Sequence, residues 1–235
     1  MRIRTAAKRV AGRAVARRLA VDSLHLHLMS HADNSGPGIS ADQALRRLVE
    51  GNRRFLRGDA QFPTMRKEIL VQMAREQRPY ATILGCSDSR VPPELLFDAS
   101  FGELFVIRVA GNVVSPEVAG SLQYAGIHLQ TPLFVVLGHE GCGAVHAALE
   151  TAFHGVRHRS RIAKLVKSIT PALKGLNQKS TPPARLLSQA VEANVRWTMD
   201  RIRQSPEGKA RLAEGLVKLV GAIYTIKTGQ VKFLK

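Results

Sequence analysis

The chain has 235 residues, of which 45% are apolar, 23% are charged and 5% are aromatic, and its net charge at pH 7 is +17. This composition is typical of one globular domain with an apolar core, and it excludes a disordered polyelectrolyte. Two cysteines are too few for a disulfide framework in a chain of this length. No run of residues approaches the ~18 consecutive apolar residues of a membrane-spanning helix, so no transmembrane segment is expected.

The basic residues lie mainly at the two ends of the chain. Residues 1–18 hold seven bases and no acid, and residues 151–235 hold seventeen bases and four acids, whereas residues 81–150 hold two bases and seven acids. A basic surface gives nonspecific affinity for nucleic acid or anionic lipid. The interleaved aromatic residues of a single-strand binding groove are missing, so no specific nucleic-acid partner is expected.

We expect residues 1–36 to form a basic, disordered tail and residues 37–235 to form a single α/β domain. The first twenty residues are rich in Arg and Ala and lack the apolar stretch of a secretory signal. A cytoplasmic location is therefore the first expectation, while the basic segment leaves organelle targeting or export open.

The predicted elements of the domain change from helical to strand periodicity along the chain. Ser40 is a candidate N-cap for a first helix, because Ala44 and Leu48 follow it at helical spacing. Short apolar runs that alternate with helices are typical of a parallel sheet covered on both faces. The predicted helices cover 41–56, 66–76, 116–129 and 143–152, and the predicted strands cover 80–85, 105–109 and 133–137.

The C-terminal part continues this pattern after an interruption. Residues 153–183 are basic and contain three prolines, which predicts an irregular or part-helical insertion. A long helix is predicted over 184–204, followed by strands over 216–224 and 231–234 that are joined by a glycine-containing turn. The predicted fold class is therefore α/β, with a mostly parallel central sheet flanked by helices and an N-terminal helical arm.

Both cysteines and one histidine directly follow predicted parallel strands. Cys86 follows the first strand, and His139 and Cys142 follow the third. Loops at the carboxyl ends of parallel strands meet in one crevice. Two thiolates and an imidazole suit a zinc ion and leave a fourth position open for chemistry. Two buried structural thiols, or a disulfide between them, are the alternatives.

Asp88 and Arg90 lie two and four residues beyond Cys86. An aspartate so close to a metal can occupy the open position, or a bidentate pair with the arginine can hold it away. In the second arrangement Asp88 would orient the metal-bound solvent. A turn-stabilising aspartate beside a surface arginine is the alternative reading of the same spacing.

The sequence Cys-Ser-Asp-Ser-Arg at 86–90, together with His-x-x-Cys at 139–142, resembles the β-class carbonic anhydrases. The resemblance covers about residues 40–235 and implies the fold of that family. It also implies a lyase (carbonate dehydratase) that converts CO2 reversibly to bicarbonate and a proton through a zinc-bound hydroxide. Further matching segments occur in order at 52–55, 102–105, 108–112, 120–125 and 221–224.

By position, the resemblance makes Cys86, His139 and Cys142 the ligands of one Zn2+ ion per subunit. It makes Asp88 and Arg90 the catalytic pair that controls the fourth position, and Asp88 is also a candidate ligand. The resemblance implies four substrate-binding residues as well, namely Gln77, Phe105, Tyr124 and Gly143.

The resemblance further implies a homodimer or higher homo-oligomer, in which residues from two chains line one site. Two other functions stay open at this point. The same scaffold can act on CS2 or COS, and the chain can be a catalytically silent zinc protein whose basic flanks bind nucleic acid or membrane.

Overall fold

The structure is a computed structural model that describes residues 38–61, 73–74 and 76–234. The tail predicted over 1–36 and most of the helix predicted over 66–76 lie outside the described residues. The described elements belong to one compact unit, Gly36–Lys235. Among the described residues, no helix is both long and apolar enough to cross a bilayer.

The described elements alternate between strands and helices after a first helix. The strands are β1 (Ala81–Gly85), β2 (Leu104–Arg108), β3 (Leu133–His139), β4 (Lys218–Tyr224) and β5 (Val231–Phe233). The helices are α1 (Ala41–Arg57), α2 (Pro93–Leu96), α3 (Pro116–Ile127), α4 (Gly143–His154), α5 (Ser160–Ile169), α6 (Pro183–Gln204) and α7 (Pro206–Ala213). Two 3-10 turns cover Ala110–Asn112 and Thr170–Leu173.

The strands form one sheet in the order β2-β1-β3-β4-β5. Strands β1 to β4 are parallel, and β5 pairs antiparallel with β4. This architecture confirms the predicted α/β fold class. The parallel register brings the carboxyl ends of β1, β2 and β3 to the same edge of the sheet, which is where the candidate site lies.

Helices cover both faces of the sheet, as alternate residues of β3 show. Val135 packs in a cluster with Leu48 of α1, whereas Val136 packs in another cluster with Ala125 of α3 and Val195 of α6. Successive side chains of a strand point to opposite faces, so the two clusters lie on opposite sides of the sheet. This two-sided burial explains why β1 and β3 are apolar along nearly their whole length.

Helix α1 begins and is anchored as its sequence suggests. The Ser40 hydroxyl accepts a hydrogen bond from the Gln43 backbone N–H at 3.2 Å, and the Gln43 side chain accepts one from Ser40 N–H at 2.7 Å. This reciprocal cap satisfies two backbone donors at the helix start. Farther along, the buried Asn52 amide donates to the carbonyls of Leu96 and Gly229 at 3.0 Å each, which ties α1 to distant loops.

Two short helices, α2 and α7, were not predicted from the sequence. They span four and eight residues, and each begins with a proline in its first turn. Segments this short carry too little periodicity to be distinguished from loops. The basic insertion is part-helical as expected, since it contains α5 and the second 3-10 turn.

Candidate metal centre

Cys86, His139 and Cys142 lie together at the carboxyl edge of the sheet. Cys86 directly follows β1, His139 is the last residue of β3, and Cys142 is the N-cap of α4. All three residues are buried, and their ligand atoms lie within 4.8 Å of one another. Both thiols are free. The strand ends thus bring together three donors that are up to 56 positions apart in sequence.

The imidazole of His139 is oriented with one nitrogen toward the sulfurs. Its Nδ1 lies 2.9 Å from the Glu140 carbonyl and donates its proton there, which leaves Nε2 as an acceptor. Nε2 is buried and has no hydrogen-bond partner among the described residues. A buried polar atom of this kind requires a further group to satisfy it. Together with two sulfur donors it forms a ligand set that fits zinc.

A hydrogen bond between the two thiols favours the thiolate form of one of them, and the thiolate is the form that binds a metal. The Cys142 thiol donates to Cys86 and holds the pKa of Cys86 well below its usual range, against the effect of burial. The same hydrogen bond and burial raise the pKa of Cys142. A divalent cation that displaces the thiol protons would meet two thiolates.

Asp88 is held beside the metal-ligand set by a bidentate ion pair. Arg90 donates from Nε to Oδ1 at 2.9 Å and from Nη2 to Oδ2 at 2.8 Å, and its backbone N–H also donates to Oδ1 at 3.0 Å. These hydrogen bonds keep the pKa of Asp88 far below its usual range. Asp88 Oδ2 lies only 4.0 Å from Nε2 of His139. The arginine therefore restrains a carboxylate that stands at the edge of the site.

Arg108 is a site residue that the sequence analysis missed. It donates from Nε to the Cys86 carbonyl at 3.0 Å and from Nη2 to the Asp88 carbonyl at 2.6 Å. These contacts link the end of β2 to the loop that carries both residues. Two signals in the sequence pointed to it, namely a charged residue at the end of an apolar strand and its place in the family-like segment 108–112.

Gly111 supplies a backbone donor to the metal site. Its N–H donates to Cys86 Sγ at 3.3 Å. The residue has a φ of +69°, and an added Cβ would lie 2.7 Å from Ile169 and 3.1 Å from Ala144. Only glycine fits this left-handed conformation and this close packing.

Helix α6 holds the Gly111 loop in place from behind. The buried Asn194 amide donates to the Gly111 carbonyl at 2.8 Å, and the Thr198 hydroxyl donates to the Asn112 carbonyl at 3.2 Å. The two side chains lie one helical turn apart and so share one face. A side chain at Gly138 would clash with Val195 at 2.5 Å, so glycine at 138 lets α6 approach β3 just before His139.

We expect Asn194→Leu to weaken zinc binding by about 10–100-fold, because it removes the support of the N–H group that contacts Cys86. The zinc dissociation constant would be measured by competition with a chromophoric chelator. Asn52→Leu is the matched control, since it also removes a buried amide that binds backbone carbonyls, but those of Leu96 and Gly229 rather than that of Gly111. Equal zinc affinities of the two variants would contradict a positioning role for Asn194.

Three of the four predicted substrate-binding residues lie away from the metal site of their own chain. Phe105 is in register with Thr82, about 13 Å along the strand from the metal-site end of the sheet. The Tyr124 ring lies 6.1 Å from the Phe105 ring, between centroids. Gln77 is exposed and precedes the amino end of β1. The structure thus brings Phe105 and Tyr124 together, but it does not join them or Gln77 to the metal ligands.

Gly143 directly follows the candidate ligand Cys142. It is the first residue of α4 and directly follows Cys142. An added Cβ at Gly143 would meet no heavy atom within 4 Å, so the backbone borders open space. A helix start that borders open space favours a small anion.

Comparison with known proteins gives one consistent family. A family model described as carbonic anhydrase matches residues 81–231. Carbonic anhydrase 2 of Mycobacterium tuberculosis is 35% identical over 195 residues, which cover 83% of this chain and 93% of that protein. The carbonic anhydrase of Mycolicibacterium smegmatis is also 35% identical, over 200 residues that cover 83% of this chain and 94% of that protein.

Solved structures agree with these relatives. The β-carbonic anhydrase CcaA has a TM-score of 0.67 and 28% identity and covers 81% of this chain and 87% of its own. The Coccomyxa β-carbonic anhydrase in complex with acetazolamide has a TM-score of 0.64 and 30% identity and covers 80% of this chain and 84% of its own. Because the family model spans more than half of the sequence and these relatives are matched over most of their length, the chain belongs to the β-class carbonic anhydrase family.

Proposed function

We propose that this chain is a carbonic anhydrase that converts CO2 reversibly to bicarbonate and a proton, with one zinc ion per subunit held by Cys86, His139 and Cys142. The observation that carries the proposal is the buried Nε2 of His139, which has no partner among the described residues and faces two free thiols. Zinc bound there supplies a Lewis acid that makes water nucleophilic near neutral pH.

The residues around the ligands have separate tasks in this reaction. Asp88 accepts a hydrogen bond from the reacting water and orients it toward CO2. Arg90 keeps the Asp88 carboxylate away from the metal, so that the fourth position stays available. Gly143 leaves room for a small linear substrate, and the N-terminus of α4 attracts the bicarbonate product.

Neither alternative function is favoured. The related proteins are named carbonic anhydrases, which supports CO2 rather than CS2 or COS as the substrate. An intact ion pair between Asp88 and Arg90 beside the ligand set supports a working site rather than a silent zinc protein.

Stopped-flow measurement of CO2 hydration by the zinc-loaded protein tests the function. We expect activity from about pH 6.5 to 9 that rises as a single titration, because the range spans the ~7 to ~9 of water on protein-bound and aqueous zinc. Asp88 is already ionised and paired at these pH values, so it adds no second step. Activity at the alkaline end only would mean that Asp88 occupies the metal, and no activity at any pH would reject the function.

We also propose that Gln77, Phe105 and Tyr124 serve the metal site of a partner subunit in a homodimer or larger homo-oligomer. Their distance from the ligands of their own chain supports this. Strand β2 is an edge of the sheet, and its residues are mostly half-buried. Tyr124 beside it is 45% exposed. An edge strand with exposed apolar neighbours is a natural place for two subunits to associate.

Mixing two defective chains tests this sharing. Gln77→Ala/Tyr124→Ala is expected to lower kcat/KM about 10–100-fold through poorer substrate positioning. In a hybrid with a Cys142→Ser chain, the first chain supplies an intact metal site and the Cys142→Ser chain supplies intact Gln77 and Tyr124. We therefore expect the activity of the hybrid to recover. Differently tagged chains would be co-expressed and the hybrids purified through both tags. A hybrid of wild type with Cys142→Ser is the control, and hybrids no more active than the channel variant would contradict the proposal.

The thiols and the composition of the chain bear on its location and on other partners. We propose a cytoplasmic location, because a reducing compartment keeps the metal-binding thiols from forming a disulfide. We propose no specific nucleic-acid partner, because the basic residues lack interleaved aromatic side chains.

A further inference from the structure

Two adjacent cavities are lined by residues other than the candidate metal ligands. The first, here called the apolar cavity, has a volume of about 270 Å³ and is enclosed by α3, α6, α7 and the start of β4. Its lining is mostly apolar and includes Leu122, Phe134 and Leu212. The second, here called the polar cavity, has a volume of about 180 Å³. Val114 and Arg201 line both cavities, so the two spaces adjoin.

The polar cavity differs from the apolar one in its chemistry. Lys167 of α5 and Arg201 of α6 line it together with Thr198. Trp197 also lines it, and its indole N–H donates to the Ser168 carbonyl at 3.2 Å, which fixes the ring. An apolar chamber that leads into a cationic one suits a ligand with an apolar body and an anionic end.

The cations that line these cavities have no counter-ion among the described residues. Lys167, Arg201 and Arg211 form no ion pair within the part of the chain that the structure describes. By contrast, Arg196 and Arg203, which flank Arg201 on α6, each pair with an acid on the same helix. Arg201 is thus distinguished from its neighbours both by its position between the cavities and by its missing partner.

An acidic residue in the apolar cavity favours binding of an anionic group in the polar cavity instead. Glu207 lines the apolar cavity near the start of α7. Its carboxylate disfavours an anionic group at that end. Among the described residues that line the polar cavity there is no acid, so Lys167 and Arg201 are the favoured contacts for a negative charge.

We propose that the two cavities form one binding site for a small amphipathic monocarboxylate, of which a medium-chain fatty acid is the simplest example. The alkyl chain lies against the apolar lining, and the carboxylate binds between Arg201 and Lys167. Burial of the chain supplies most of the affinity, while the two cations select the charged end group. This site does not involve the metal ligands, so it goes beyond the hydration of CO2.

Titration with decanoate, kept below its micelle concentration, tests the site on the zinc-loaded full-length protein. Trp197 is the only tryptophan in the chain and lines the polar cavity, so its fluorescence reports binding directly. We expect a saturable change with one decanoate per chain by calorimetry. Decanol has the same alkyl chain without the charge, and we expect it to bind about tenfold more weakly because it lacks the ion pair.

Two variants separate this site from nonspecific adsorption. Arg201→Gln should reduce decanoate affinity toward that of decanol, because only Lys167 then remains to bind the carboxylate, whereas Arg203→Gln, on the same helix but outside both cavities, should change nothing. Gly120→Leu should weaken both ligands, because Gly120 lines the apolar cavity and an added Cβ there meets no heavy atom within 4 Å.

Three results would overturn the proposal. The first is the absence of a saturable response to decanoate. The second is an equal affinity for decanoate and decanol, and the third is an unchanged affinity of Arg201→Gln for decanoate. The first would mean that the cavities are closed to ligands, for instance by a second copy of the chain, and the other two would mean that only apolar adsorption occurs. None of these results bears on CO2 hydration, which is measured separately.

Discussion

Cys142→Ser is expected to abolish tight zinc binding and to lower kcat/KM for CO2 hydration by about a thousandfold or more. A serine hydroxyl does not ionise at neutral pH and cannot replace a thiolate ligand. A bound metal contributes several kcal/mol to transition-state stabilisation, and each 1.36 kcal/mol corresponds to a factor of ten in rate. Zinc content after dialysis against a weak chelator and stopped-flow hydration would be measured on the same preparation.

Thr82→Val is the control for this variant. Thr82 is buried on β1, and its hydroxyl lies 2.7 Å from that of Thr131. Losing this hydrogen bond should reduce the free energy of unfolding by about 1 kcal/mol. Zinc content and activity should stay close to wild type, because the residue does not contact the ligands. Full zinc retention by Cys142→Ser would show that Cys142 is not a ligand.

Arg90→Gln is expected to lower CO2 hydration by about a hundredfold near neutral pH. The substitution removes the bidentate partner of Asp88, whose Oδ2 already lies 4.0 Å from Nε2 of His139. A freed carboxylate at that distance can move onto the metal and occupy the position that the substrate water needs. In cobalt-substituted protein, the visible spectrum should change as the carboxylate becomes a ligand.

The double variant Asp88→Asn/Arg90→Gln distinguishes this mechanism from a general disturbance of the loop. Without a carboxylate that can block the metal, the double variant should lose less activity than the product of the losses in Asp88→Asn and Arg90→Gln, and its cobalt spectrum should resemble that of wild type. Independent effects of the two substitutions would multiply instead. A loss of activity in the double variant equal to the product of the two single losses would therefore contradict the proposal that Arg90 keeps Asp88 away from the metal.

The ion pair also predicts how the site responds to acid. Arg90 holds the pKa of Asp88 below its usual value, so the pair contributes stability above about pH 4, the ordinary range of an aspartate, and loses it as the pH falls further. Near neutral pH the contribution is fully present. The loss of hydration activity in Arg90→Gln should therefore be largest at pH values where Asp88 is ionised, and these include the whole range of the assay.

The sequence by itself was sufficient for the fold class and for the prediction that Cys86, His139 and Cys142 lie together. Strands β1 and β3 are central and buried on both faces, so their apolar runs stand out and their ends are sharp. Cys86 directly follows β1, and His139 ends β3. In a parallel sheet these ends share one edge, so chain order alone was enough to place the ligands together.

Contacts between distant parts of the chain could be seen only in the tertiary structure. Asn194 binds the Gly111 carbonyl across 83 positions, and Arg108 binds the Cys86 loop across a strand pair. The partner of neither side chain can be read from its neighbours in sequence, because Asn194 looks like any other break in the apolar stripe of a helix and Arg108 looks like any charged strand end.

The positions of Phe105, Tyr124 and the two cavities could not be predicted from the sequence either, and the physical reason is the same. Phe105 and Tyr124 are separated from the metal site by the register of β1 with β2, and Arg201 joins two cavities through the packing of α6. Hydrophobic periodicity encodes which faces are buried and where strands end. Strand register and helix packing depend on how side chains from separate elements interlock, and this is decided only when the whole chain folds.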